Sequence, residues 1–199
     1  MLVVAVSEPP AEPGEPALPA LPGVDPEAEL VCARFPGRHT LRTGDAATRE
    51  QIRADLPAHP LAHFACHGTQ DLLSPSRAAL RLHDGPLSVL DLAELRLSGD
   101  LAFLSACDTA AGGFTLPDEA IHLAAAVQTA GYRHVIAALW HISDNLAPTV
   151  ADTVYRSLAA QGGIDGDRTA SALHTAVDKL RSEFPGRASL WAGYAHFGP

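Results

Sequence analysis

Three stretches of the chain repeat one design: residues 61–66, 101–106 and 135–140 are each almost continuously apolar and bounded by polar or turn-forming residues. Runs of this length and character predict strands buried on both faces. A fourth run, 2–6, is β-branched and closed by prolines, which predicts another buried strand at the start. Helical spacing lies between them. Ile52 and Leu56 predict a helix after Gly44, capped by Asp45 or Thr48 and stopped at Pro57. Further helices are predicted over 89–95 and 117–130, the latter opened by Thr115, with Asp118 three residues on, and closed by Gly131. An earlier helix is read with Asp25 as its cap, Pro26 at its first position and Glu27 and Glu29 in its first turn, running to about residue 35. The segment 77–87, RAALRLHDGPL, alternates and holds an Asp-Gly pair, the signal of a small hairpin. Toward the end the pattern predicts helices over 149–160 and 169–183, a glycine-rich break at 162–166, and a last short strand within 193–197. Strand and helix alternate, so the fold class is α/β with a mostly parallel sheet. No internal repeat or heptad run is present.

Composition sharpens this picture in a few places. Between residues 9 and 26 stand seven prolines interleaved with Gly and Glu, which cannot sustain a helix or a central strand and predict a surface loop at about 8–26. The chain of 199 residues, 47% hydrophobic and 19% charged, is expected to form a single domain spanning 1–199. A net charge of −9 leaves no basic footprint, so a nucleic-acid partner is not expected. No apolar run approaches the roughly 18 residues of a membrane span, and MLVVAVSEPP has no basic region before its apolar run. Neither a membrane partner nor a secretory signal is therefore expected, and the cytoplasm is the expected compartment. The three cysteines, Cys32, Cys66 and Cys107, contain no CxxC pair, which argues against a disulfide framework.

In an open parallel sheet, ligands bind beyond the carboxyl ends of the strands. The run 61–66 ends at His67-Gly68, and the run 101–106 ends at Cys107-Asp108. Neighbouring parallel strands lie about 4.8 Å apart, so a His and a Cys placed alike on two of them share one sheet edge. A thiol of ordinary pKa, about 8.5, needs a nearby imidazole to become a thiolate at neutral pH. Cys107 as nucleophile and His67 as base meet that need, with backbone amides of Gly68 and Cys107 as oxyanion donors. Both residues read equally well as a buried small hydrophobe and a strand-end histidine. Cys66 should face away from His67 into the core, and Cys32 into core or helix surface. His63, Cys66, His67 and His83 cluster in sequence, and His63 shares a strand face with His67. Without HExxH or CxxC, however, no metal and no other cofactor is expected. Ser105 lies in LSACD, not in a GxSxG elbow.

The two strand ends HFACHG (63–68) and LSACDTA (104–110), followed by DEAIHLAAAVQTAGYRHVIAALWHISD and closing on WAGYAHFG (191–198), together resemble the CHAT domain, a relative of caspases and separases. The resemblance implies a caspase-like three-layer sandwich with a small hairpin insertion. It implies His67 and Cys107 as a catalytic dyad, the Gly68 amide in the oxyanion hole, and cysteine endopeptidase activity on a protein or peptide substrate. Such units usually follow helical repeats in larger proteins, which implies a regulatory partner of helical-repeat type. The typical domain also carries more chain before its first strand, so an N-terminal part is expected to be missing. In separases a tryptophan followed four residues later by an aspartate is associated with an arginine before the scissile bond. Trp140 and Asp144 match that spacing, which makes Asp144 the candidate selector for arginine.

Alternatives stand beside these readings. Ser143 or Asp144 can cap the helix that begins near them. Asp108 can line the pocket or steady the following loop. The loop 110–116 can act as lid, substrate wall or plain linker. For the whole chain, a catalytically silent interaction module and a metal-dependent hydrolase are the other classes.

Overall fold

The structure is a computed structural model that describes residues 1–12, 14, 16–69, 78–105, 118–140, 142–160 and 163–199. Its main sheet is built from β1 (Leu2–Ala5), β2 (Thr40–Thr43), β3 (Leu61–Ala65), β7 (Gly99–Leu104), β8 (Tyr132–Ala138) and β11 (Tyr194–Phe197). Their order across the sheet is β11-β8-β7-β3-β1-β2. All neighbours run parallel except β11, which pairs antiparallel with β8. A second sheet joins β4 (Gly68–Thr69), β5 (Ala79–Leu82) and β6 (Gly85–Ser88), and a third is the short pair β9 (Ala159–Ala160) and β10 (Gly163–Ile164). The helices are α1 (Val24–Arg34), α2 (Arg49–Asp55), α3 (Val89–Ala93), α4 (Asp118–Ala130), α5 (Ala147–Leu158) and α6 (Thr169–Glu183).

The strands alternate their side chains between two cores, which makes three layers. Ala5, Ala65, Phe103 and Ile136 pack with α1, α5 and α6 on one face. Val4, Phe64, Leu104 and Val135 pack with α2, α3, α4 and the hairpin on the other. α5 shows why: Ala147, Val150, Ala151, Val154, Tyr155 and Leu158 fall on one helical stripe and are buried together. Burying each large side chain of this kind contributes about 1.5–3 kcal/mol.

Most of the anticipated elements are present with shifted ends. The third apolar run forms its strand over Tyr132–Ala138, three residues earlier than its most apolar stretch. Gly131 precedes it with φ +126°, and a Cβ there would meet the Leu97 carbonyl oxygen at 2.1 Å, so glycine is required. The hairpin forms as read, turning between Leu82 and Gly85. α2 is capped by Thr48, whose hydroxyl accepts from the Gln51 amide at 3.2 Å, rather than by Asp45. One expectation fails at α1. The helix starts at Val24 behind Gly23 with no side-chain cap, so Asp25 lies inside the first turn. There it still benefits from the positive helix end without closing it. Thr115 lies outside the described residues.

Candidate functional site

β3 and β7 are hydrogen-bonded neighbours, parallel and in a register that sets Phe64 beside Leu104. The chain order β1, β2, then β3 on the far side of β1 places the switch of direction between β1 and β3. In doubly wound sheets that is where ligands bind. His67 follows β3 at this point and is fully buried. Its Nε2 lies 2.7 Å from the carbonyl oxygen of Pro19. A carbonyl only accepts, so Nε2 carries the proton in this contact. Cys107 and Asp108 lie outside the described residues, as does the loop 110–116.

The hairpin fixes the backbone on the other side of His67. The Arg81 amide donates to the His67 carbonyl at 2.8 Å. Gly68 sits opposite Leu80 in the same antiparallel ladder. Hydrogen-bonded and non-hydrogen-bonded pairs alternate in such a ladder, so Gly68 falls at a non-hydrogen-bonded position and its N–H is not spent on β5. The Arg81 side chain, almost wholly buried, reaches Glu12 of the proline-rich loop, with Nη1 2.7 Å from Oε1. Nothing in the sequence flagged Arg81 or Glu12. The pairing joins a hairpin to a loop nearly seventy residues earlier, and neither belongs to a motif.

At the third strand end, Asp144 is half-buried and its carboxylate accepts a hydrogen bond from the Gly23 amide. A Cβ on Gly23 would stand 2.3 Å from the Asp144 carbonyl oxygen and 2.8 Å from its carboxyl carbon, so only glycine allows this approach. The alternative that Ser143 or Asp144 caps the local helix is not what is found. α5 begins at Ala147 behind Leu146, without a side-chain cap. Asp144 serves α1, remote in sequence, by holding the free amide at its start. Trp140 packs on Gly193 and donates from Nε1 to the Ser189 carbonyl at 2.9 Å.

His63 and Cys66 point into opposite cores. Cys66 belongs to the α2–α4 side, and Cys32 packs at the edge of the other core, where burial raises its thiol pKa. His63 is enclosed by Tyr155, whose hydroxyl is 3.1 Å from Nδ1, and by Glu27, whose Oε1 is 3.2 Å from Nε2. Burial first, and then the Glu27 charge, hold the Tyr155 phenol well above its ordinary pKa, so it remains a hydroxyl able to donate to His63. Among the described residues no three metal-binding side chains converge, and no helix is long and apolar enough to cross a membrane.

The chain matches the CHAT domain family over residues 2–199. No curated protein matches it. Among solved structures it is similar to the Arg-specific cysteine proteinase gingipain R (RgpB), with a TM-score of 0.58 and 17% identity over 99% of this chain and 45% of that one. A complex of Porphyromonas gingivalis RgpB pro- and mature domains matches with the same TM-score and identity, over 99% of this chain and 46% of that one. This chain therefore spans less than half the length of either. The likeness establishes a caspase-like α/β fold.

Proposed function

Since this chain belongs to the CHAT domain family, we propose that it is a cysteine endopeptidase in which Cys107 attacks the peptide carbonyl and His67 moves the proton. The observation that carries this reading is the pairing of β3 with β7. Phe64 and Leu104 are side by side, and by sequence count His67 and Cys107 each follow three residues later. The sulfur forms a bond to the carbonyl carbon, the imidazolium gives its proton to the departing amine, and the C–N bond breaks to leave a thioester. Water, giving a proton to His67, then attacks the thioester and releases the acid and the thiolate. The Gly68 amide, which is not spent on β5, supports its role as oxyanion donor, to which the Cys107 amide is the natural partner. Asp144 is the proposed selector for arginine before the scissile bond, with Asp108 beside the nucleophile as a further pocket wall. A guanidinium would have to share the Asp144 carboxylate with the Gly23 amide, or displace it.

The test is cleavage of a peptide library by the wild type and by Cys107→Ala and His67→Ala. Cleavage lost in both variants supports the dyad, and cleavage unchanged in either overturns it. Asp144→Ala should lower cleavage after arginine at least tenfold while sparing other sequences; an unaltered profile removes Asp144 from selection. One observation favours a second reading, a catalytically silent interaction module: His67 is fully buried and engaged by Pro19. Labelling of Cys107 by a thiol-reactive peptide at the rate of an ordinary free cysteine would favour that module.

A further inference from the structure

We infer that Arg81 is a positioning residue for His67, acting through its ion pair with Glu12; as a statement about catalysis this rests on the peptidase reading above. The pair lies outside every motif of the chain and brackets the histidine from two sides.

The need for a partner starts with Arg81. Its neighbours on β5, Leu80 and Leu82, face the core on the α2–α4 side, so alternation turns Arg81 the other way. It is almost wholly covered there, at 5% exposure. A guanidinium does not give up its proton, so at this depth it must hold an anion. Glu12 supplies one, with Oε1 2.7 Å from Nη1, while its own side chain still meets water. The loop that carries Glu12 also passes over the hairpin turn, where a Cβ on Gly85 would stand 3.9 Å from the same Oε1.

Both partners reach His67. On the hairpin side, the Arg81 amide donates to the His67 carbonyl at 2.8 Å and fixes its backbone. On the loop side, the Pro19 carbonyl accepts the Nε2 proton. That contact leaves the lone pair on Nδ1, the nitrogen that takes the proton of the Cys107 thiol in the proposed reaction. With the ring turned over, the lone pair points away from the thiol. How firmly Pro19 is held therefore sets the fraction of molecules with a usable base.

The loop is closed at its base, where the Leu21 amide donates to the Ser7 carbonyl at 3.0 Å. Above that base Pro9 is buried, but from residue 10 to residue 20 every described residue except Glu12 and Leu18 is exposed. Little apolar area holds this arch in place. The demand of the buried guanidinium for its carboxylate is what ties the arch to the hairpin, and Pro19 belongs to the arch.

The test uses the full chain with Glu12→Gln, Arg81→Met and the two together. Nitrogen-15 NMR of the His67 ring, assigned by its loss in His67→Gln, reads the tautomer without needing activity. It is recorded in a Cys107→Ala background at about pH 8, above the ordinary histidine pKa, so that no thiol competes for the proton. The parent should show a protonated Nε2 and a bare Nδ1. Each single variant should move Nδ1 toward the protonated value, and the double variant should move it no further, because one pair is lost in all three. His67 unchanged in both singles overturns the positioning role, as does a change in Arg81→Met alone, which would place the effect in the hairpin. Glu12 stands on the loop, so Glu12→Gln decides by itself if Arg81→Met fails to fold. With Cys107 restored, kcat for a cleaved peptide should fall roughly tenfold in each variant, with KM within about twofold of the wild type. If the ring responds and the wild type shows no Cys107-dependent cleavage, the positioning stands and the peptidase reading falls. If cleavage is Cys107-dependent and kcat is unmoved, the positioning role falls and the peptidase reading stands.

Discussion

His63 lies within β3 and His67 two residues past its end, and both are fully buried. What buries them differs. His63 is held in the middle of the sheet by Tyr155 from α5 and Glu27 from α1, with the Phe103 ring of β7 at 5.1 Å. Each of those partners is itself fixed by the core. His67 lies beyond the last residue of β3, and its Nε2 meets the carbonyl of an exposed loop. Zero exposure therefore separates nothing by itself. A histidine buried by the core can leave its place only if the fold opens, whereas one buried by a loop can be uncovered while every strand stays paired.

The sharpest way to break this comparison is to truncate each ring in turn. His67→Ala should lower cleavage by roughly 10²- to 10⁴-fold, the range for loss of a general acid–base group, and shift the unfolding free energy by less than about 1 kcal/mol. His63→Ala should do the reverse. It leaves a cavity and strands the Tyr155 hydroxyl and the Glu27 carboxylate without their ring, a loss of about 3 kcal/mol or more, with cleavage per folded molecule kept. Urea unfolding run beside the cleavage assay checks both. If His63→Ala abolished cleavage in the folded protein, the distinction between core and strand end would be lost.

Gly23→Ala probes the same contrast at the third strand end with a smaller expected effect. The new Cβ would stand 2.3 Å from the Asp144 carbonyl oxygen, so either Asp144 or the start of α1 must shift. A cost of about 1–3 kcal/mol is expected, read from the urea midpoint. Loss of arginine preference without that cost would mean that Asp144 serves selection alone; loss of stability with the preference kept would mean that it serves α1 alone.

Much of this was legible because it follows from local patterns. Continuous apolar runs mark β3 and β7, alternation and Asp-Gly mark the hairpin, and the spacing in α5 and α6 needs nothing beyond the helix period. The dyad motif could be read for the same reason: each half sits directly after an apolar run. β2 was not readable, because Thr40–Thr43 is a short edge strand with only alternate positions half-buried and its sequence TLRT resembles a loop. Asp144 was legible as a residue and not as a contact. Its partner is the backbone of Gly23, 121 residues earlier, and a glycine amide has no sequence signature. Glu12 and Arg81, and Glu27 and His63, escape for the same reason. Pairings across layers depend on how the strands are ordered, which local spacing does not encode.

A third histidine gives the mildest test. His196 on β11 stacks on His134 of β8 with ring centroids 5.3 Å apart, and Nε2 of His196 lies 3.1 Å from Nδ1 of His134. Asp167 stands 3.6 Å from the far side of His134 and also pairs with Arg133. Burial, and then the neighbouring His134, lower the pKa of His196 from its ordinary value. With the folded value below the unfolded one, His196 adds no penalty above about pH 6.5, where both states are neutral. As pH falls below that, the unfolded chain takes up the proton first, and stability drops until the folded value is passed. The melting temperature should therefore decline between pH 7.5 and 5.5, by less than the effects above because the ring is only half-buried and water screens it. His196→Gln should flatten that decline. An equal slope in the variant would place the pH response elsewhere than on this edge-strand histidine.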